Sequence, residues 1–197
     1  VLGPDFDEDI RLALVAFGPN TLALGGREFD DVILHTFFTP ETLLRSVTTV
    51  KEAAERAGRD PDAVRVWCWL ATVGDPRPGE LRGAETVARL ATYLQGYGDL
   101  MVRTNDWDPA VLERFRADAV VRSIGGGIDH KATAGQIEHI ATLIPDEWLE
   151  PAATGSSAQC AARVRQEFGY GADAVIMHGA TPEELAPVVA EYRLLMP

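Results

Sequence analysis

Leu12-Ala13-Leu14-Val15-Ala16-Phe17-Gly18-Pro19-Asn20 is an apolar run of strand length that stops at a Gly-Pro turn. It does not alternate polar with apolar residues, so a strand built from it is buried on both faces. Gly18-Pro19 opens a short helix over 20–28, and Asp31-Val32-Ile33-Leu34-His35 is a second strand of the same kind. Thr39-Pro40-Glu41 starts a helix with Thr as N-cap and Pro in the first turn. Leu43, Leu44, Val47, Val50, Ala54 and Ala57 recur along it at helical spacing, and Gly58 stops it. Residues 64–73 read as a third strand, ended by Gly74-Asp75-Pro76-Arg77-Pro78-Gly79. A helix is expected over 81–94, then an irregular segment at Gly96-Tyr97-Gly98. Asp108-Pro109 caps a helix carrying Val111, Leu112, Phe115 and Ala119. Capping-box pairs at Thr133/Gln136 and Ser156/Gln159 open two more, with 148–154 a short strand or connector between them. Asp173-Ala174-Val175-Ile176-Met177-His178 is the last strand, and Thr181-Pro182-Glu183-Glu184 begins the terminal helix. Strands that are buried and alternate with helices make a parallel sheet covered by helices.

The 197 residues are 46% hydrophobic and 24% charged, an ordinary globular composition that excludes disordered and collagen-like chains. No apolar run reaches the roughly 18 residues of a membrane span. Eighteen Lys and Arg against 30 Asp and Glu give a charge of -12, and no basic run offers a cationic face to phosphate, so no nucleic-acid partner is expected. Cys68 and Cys160 are too few for a disulfide scaffold and read as buried thiols of a cytoplasmic protein. The chain opens at Val1 with a polar Gly3-Pro4-Asp5 stretch that shows no signal peptide. The expectation is that residues precede it.

Several constellations could carry chemistry. A helix N-terminus after Gly18 presents backbone N–H groups and a partial positive charge, which suits a phosphate, while a tight turn that needs Gly and Pro is the competing reading. His35-Thr36 and His178-Gly179 stand at strand ends, where α/β proteins place their sites, and either imidazole could equally be structural. Arg65, Trp67, Trp69 and Ala71 share one face of the third strand, and Val66, Cys68, Leu70 and Thr72 the other. The two Trp could line a pocket for a ring system, or pack in the core. Gly125-Gly126-Gly127-Ile128-Asp129 follows no strand, so it is no dinucleotide fingerprint and reads as a mobile loop. Asp129, His130 and His139 are too loosely spaced to argue for a metal.

In order and spacing, these segments resemble the C-terminal half of the luciferase-like monooxygenase family. The carriers are Gly18-Pro19 before a helix, Asp30-Asp31-Val32-Ile33-Leu34, Thr39-Pro40-Glu41, and Ala57-Gly58-Arg59-Asp60-Pro61. Gly155-Ser156-Ser157 and the run from Gly171 through Ala172 and Asp173 to His178 complete the set. The family includes bacterial luciferase and flavin- and deazaflavin-dependent oxidoreductases. The resemblance implies a TIM (β/α)8 barrel of the luciferase-like type. The chain, taken as a single domain over 1–197, would carry about the last four βα units, with a helical insertion at about 79–144. It also implies coenzyme F420 (a deazaflavin) or FMN as cofactor. Phe17, Gly18, Pro19 and Asn20 would lie against the cofactor, and His35, Thr36, Trp69 and His178 would line the substrate pocket.

Departures refine this. Gly25-Gly26 and Asp30-Asp31 stand where the family often has Ala-Gly and Asp-Gly. A cationic residue of the sugar-phosphate dehydrogenase branch would stand near Phe38, and Trp69 occupies a position charged in that branch, so the resemblance implies an apolar substrate. The implied activity is hydride transfer to or oxygenation of a small organic molecule. The family's acid/base residues come from the first half of the barrel, which leaves the catalytic residue unknown and implies a homo-oligomer or an N-terminal half outside this sequence. The alternative is a non-catalytic half barrel that self-associates or pairs with a partner chain, and a generic phosphate-ligand barrel is a third reading.

Overall fold

The computed structural model describes residues 10–74 and 83–196. Its elements are β1 (Ala13–Ala16), α1 (Pro19–Glu28), β2 (Asp31–Leu34), α2 (Pro40–Arg56), a 3-10 turn (Pro61–Ala63) and β3 (Arg65–Gly74). There follow α3 (Ala84–Thr104), α4 (Pro109–Ala117), α5 (Ala119–Ser123), α6 (Ile128–Lys131), α7 (Ala134–Ala141) and α8 (Asp146–Leu149). The chain closes with β4 (Ala153–Gly155), α9 (Ser157–Gly169), β5 (Ala174–His178) and α10 (Pro182–Leu194).

Every strand pairing is parallel. Trp67 pairs with Ile33 on one edge and Ala174 on the other, so the principal strands run β1-β2-β3-β5. The short β4 extends the ladder at the C-terminal end of β3, opposite Thr72 to Gly74. Each principal strand is followed by a helix or helices, which makes four βα units.

The register sorts the side chains by face. Ala16, Val32, Leu34, Val66, Cys68 and Leu70 join Leu43, Val47, Val50, Cys160, Val164 and Val188 in a core between the sheet and α2, α9 and α10. Each fully buried aliphatic side chain there contributes about 1.5–3 kcal/mol. Close helix packing supports that core. A Cβ on Gly26 would lie 2.2 Å from the Val50 carbonyl oxygen, so only glycine lets α1 approach α2 as it does. The predicted caps at Thr39, Thr133, Ser156 and Thr181 all accept the expected backbone N–H bonds, the last three as capping boxes. Cys68 and Cys160 are both buried and not joined in a disulfide.

The opposite face holds Val15, Ile33, Trp67 and Ala174 in one row, then Trp69 beside Ile176 and Ala71 beside His178. This face is incompletely covered: Val15 is 57% exposed, and Ala174, Ile176 and His178 of β5 are half-buried. Among the described residues, β1 and β5 each leave one edge unpaired.

Between β3 and β4 the helices form a second core around α3, with Leu90, Leu94, Met101, Phe115, Ile128, Ile140 and Trp148 fully or nearly fully buried. Here the sequence expectation needs correction. α3 runs unbroken through Gly96 and Gly98 to Thr104. Each glycine costs a helix about 1 kcal/mol, but burial of Leu94, Met101 and Val102 outweighs it. At Gly98 the missing Cβ makes room for Leu112 of α4. Ala119 belongs not to α4 but to α5, because Asp118 caps a new helix through the Val120 and Val121 amides. The 148–154 segment is both a helix end and the strand β4. The predicted break after Gly74 and the start of the 81–94 helix lie outside the described residues.

Candidate functional site

Four strands deliver side chains to one place, three of them at their C-terminal ends, where parallel α/β sheets hold their sites. Phe17 follows β1, His35 and Thr36 follow β2, and His178 ends β5, with Trp69 on β3 between them. The Phe17 and His35 ring centroids are 4.5 Å apart. The His178 and Trp69 rings meet edge to face at 5.4 Å. Thr36, 1% exposed, joins the two halves: its Oγ1 is 2.9 Å from His178 Nε2, and its carbonyl accepts at 3.2 Å from His35 Nδ1.

The turn that aims these groups is held from α3. Phe37 adopts φ 58, a left-handed conformation unfavourable for a bulky residue. Asn105, buried just past the end of α3, donates from Nδ2 to the Phe37 carbonyl at 2.9 Å and accepts the Thr39 N–H at 3.2 Å. That pair of bonds holds the strained turn in place.

α3 also closes the cluster. Tyr93 and Tyr97 set their rings edge-on to His35 at 5.0 and 5.6 Å. Sequence reading missed both: the expected break at Gly96 hid Tyr97, and Tyr93, inside the expected helix, was not singled out. The available signal was the spacing of four between Arg89, Tyr93 and Tyr97 on one helix face. Arg89 Nη1 lies 3.1 Å from Asp129 Oδ2, so the Gly-rich segment is not a loose loop over the site but is pinned to α3.

Burial sets the electrostatics. It lowers the His178 imidazole from 6.5 to about 4, aided by the nearby Arg89 charge and by repulsion from the His35 ring once that is protonated. Burial also lowers His35, partly opposed by its bond to the Thr36 carbonyl. Both rings are uncharged at neutral pH and can donate from one nitrogen and accept at the other. Tyr93 keeps its proton, raised chiefly by burial. The Trp69 indole N–H is buried without a hydrogen-bond partner.

The predicted pocket residues His35, Thr36, Trp69 and His178 are therefore brought together, with Phe17 against them. Gly18, Pro19 and Asn20 turn away beside this cluster at the start of α1. Phe17, Gly18 and Pro19 border a cavity of about 500 Å³ with Arg45 and Arg103 on its wall. Gly18 provides no side-chain cap, and a Cβ there would meet nothing within 4 Å. At the other end of the strands, Asp31 lies far from this chemistry. Burial pushes its carboxyl up, but hydrogen bonds from Arg65, Trp67 and Arg11 outweigh that and hold it at about 2. His139 pairs with Asp118 at 2.9 Å, away from Asp129 and His130. Among the described residues no group of three His, Cys, Asp or Glu could hold a metal ion, and no helix is long and apolar enough to cross a membrane.

Solved structures share this fold. The coenzyme F420 dependent tetrahydromethanopterin reductase of Methanopyrus kandleri superposes with a TM-score of 0.66 at 18% identity, over 93% of this chain and 48% of that one. An F420-dependent secondary alcohol dehydrogenase in complex with an F420-acetone adduct gives 0.55 at 12% identity, over 94% and 48%. A riboflavin lyase with modified FMN and riboflavin gives 0.52 at 14%, over 93% and 42%. At these identities the likeness shows the fold, that of luciferase-like barrels, and the chain spans about half the length of these proteins. No curated protein sequence matches it. The sequence itself matches the luciferase-like monooxygenase family over residues 4–174, and the chain belongs to that family.

Proposed function

We propose that this chain is the C-terminal half, as one domain over 1–197, of a flavin- or deazaflavin-dependent oxidoreductase acting on a small organic molecule with an apolar body. The observation that carries the reading is the convergence of Phe17, His35, Trp69 and His178 at the strand ends, with both imidazoles uncharged. Aromatic faces with a few directional polar atoms suit a flat conjugated ring. FMN or coenzyme F420 would supply the hydride or oxygen chemistry when bound.

The residues present fit such a ring. Phe17 and His35 form one wall, and beside it the Gly18-Pro19-Asn20 turn would offer the N–H groups of Gly18 and Asn20 to a phosphate, Pro19 having none. Thr36 and His178 hold a hydrogen-bonded pair whose remaining imidazole N–H can orient a carbonyl or hydroxyl of the substrate. Tyr93 and Tyr97 pack edge-on against the His35 ring from α3. Fluorescence titration of the native polypeptide with FMN and with coenzyme F420 tests this. Saturable quenching of either by the protein is expected, and its loss in Phe17→Ala with the fold intact. The absence of quenching of both would end the oxidoreductase reading.

A second reading is a non-catalytic half barrel that pairs with itself or with a partner chain. The outer edges of β1 and β5, unpaired among the described residues, favour it. A monodisperse dimer that binds neither FMN nor coenzyme F420 would establish it.

A further inference from the structure

The Gly-rich segment, which the ring-binding site leaves unexplained, ends in a fixed side chain. Ile128 is fully buried, and the Asp129 N–H donates to Thr92 Oγ1 at 2.9 Å. The Thr92 hydroxyl in turn lies 2.9 Å from Asp129 Oδ1, and the other carboxylate oxygen holds Arg89. Asp129 is 9% exposed and Arg89 31% exposed. This is a partly buried pair on the inner side of α3, one helical turn from Tyr93.

Residues 89, 93 and 97 lie on one face of α3. Tyr93 and Tyr97 meet His35, and Arg89 stands one helical turn before Tyr93 on that same face. The Arg89 charge is also among the causes that lower His178, after burial. Phe17, Thr36, Trp69, Tyr93 and both imidazoles carry no charge at neutral pH, so beside these groups Arg89 introduces a positive charge. A guanidinium has five donors in a planar fork, and an ion pair through one nitrogen leaves others in its plane. The partner such a fork matches is a planar carboxylate.

We infer that Arg89, held in place by Asp129, is a specificity-determining residue that selects substrates carrying a carboxylate on an otherwise apolar body. This deepens the reading of the site given above and rests on it. The carboxylate docks on the Arg89 fork, and the apolar body lies toward Trp69 and the two tyrosines. Selection arises because a neutral analogue leaves the guanidinium without its second acceptor.

The test uses the native polypeptide and two probes of equal shape, phenylacetate and phenylacetamide, with affinities read by isothermal titration. Phenylacetate is expected to bind about tenfold or more tightly than phenylacetamide, the range of a charge-assisted hydrogen bond. Arg89→Gln, which can still donate to Asp129 and so keep the fold, should bring the two within about twofold, with the larger loss falling on phenylacetate. Arg89→Lys should restore part of the preference. Equal binding by the wild type, binding of neither probe, or a preference that survives in Arg89→Gln would overturn the assignment. FMN and coenzyme F420 titrations of the same samples separate the two levels. Cofactor binding without carboxylate preference removes the role of Arg89 alone. Carboxylate preference without cofactor binding removes the oxidoreductase reading and leaves an anion-selective pocket.

Discussion

His178 shows how burial turns a common residue into a directional one. A histidine at about 4 does not carry charge at neutral pH, so it acts as a hydrogen-bond partner of Thr36 rather than as a cation. The value also predicts a stability slope. The folded value lies below the ordinary 6.5, so the unfolded chain takes up the proton first as pH falls. The contribution is complete above pH 6.5, declines between 6.5 and about 4, and is lost below that. For a half-buried ring open to solvent screening the loss is about 1–2 kcal/mol. Urea unfolding at pH 7.5 and 4.5 should show the wild-type midpoint falling by more than that of His178→Gln. Titration of the His178 ring signal by NMR near pH 6.5 would refute the assignment directly. His178 was visible in the sequence as the end of an apolar run, because a strand end in an α/β chain is a place for sites. Its partner Thr36 was visible for the same reason, but their contact was not. No local pattern states that residues 142 apart in sequence meet.

At the scale of elements, caps and apolar periods were legible wherever the local signal and the tertiary structure agree. The capping boxes at Thr133, Ser156 and Thr181 and the Pro-initiated α1, α2, α4 and α10 follow from local chemistry. α3 failed for the opposite reason. Gly96 and Gly98 look like a break, and only the buried face that includes Leu94 and Met101 overrides them, a fact that lies in the packing of α4, α6 and α7. With the break went Tyr97 and the stripe that completes the site. The two glycines are not equivalent, and this is testable. A Cβ on Gly96 meets nothing within 4 Å, so Gly96→Ala should stabilise by up to about 1 kcal/mol through helix propensity. A Cβ on Gly98 would lie 2.6 Å from Leu112 Cδ1, in a position where Leu112 is itself buried. Gly98→Ala should therefore destabilise by about 1–3 kcal/mol through overpacking. Thermal unfolding of the two variants should move the midpoint in opposite directions. Equal shifts would mean that α3 does not pack on α4 as described.

On the scale of the whole molecule, the sheet's two faces are in different states. One is sealed by helices, and the other holds Val15 and the β5 row half open. Parallel strands are normally buried on both faces, so an open row of this kind implies a cover. Further strands added at β1 and β5 would supply it in the manner of a barrel, in which strands at the edges find partners. The sequence already pointed to this through its order of units, yet which residues face the opening follows only from the register. Val15 lies in the row with Ile33 and Trp67, and its edge has no pair among the described residues. Exposed apolar edges of this kind drive association, and a lysine placed there opposes it. Expressed alone, the 197-residue chain should self-associate as concentration rises, and Val15→Lys should reduce that association by light scattering and sedimentation. The site at the strand ends should be less affected, since Val15 sits a full row below Phe17. A wild-type chain that stays monomeric at high concentration would show that the open face needs no cover. Association unaltered by Val15→Lys would place the contact elsewhere, on the apolar α10 end at Leu194 and Met196, which are 79% and 56% exposed.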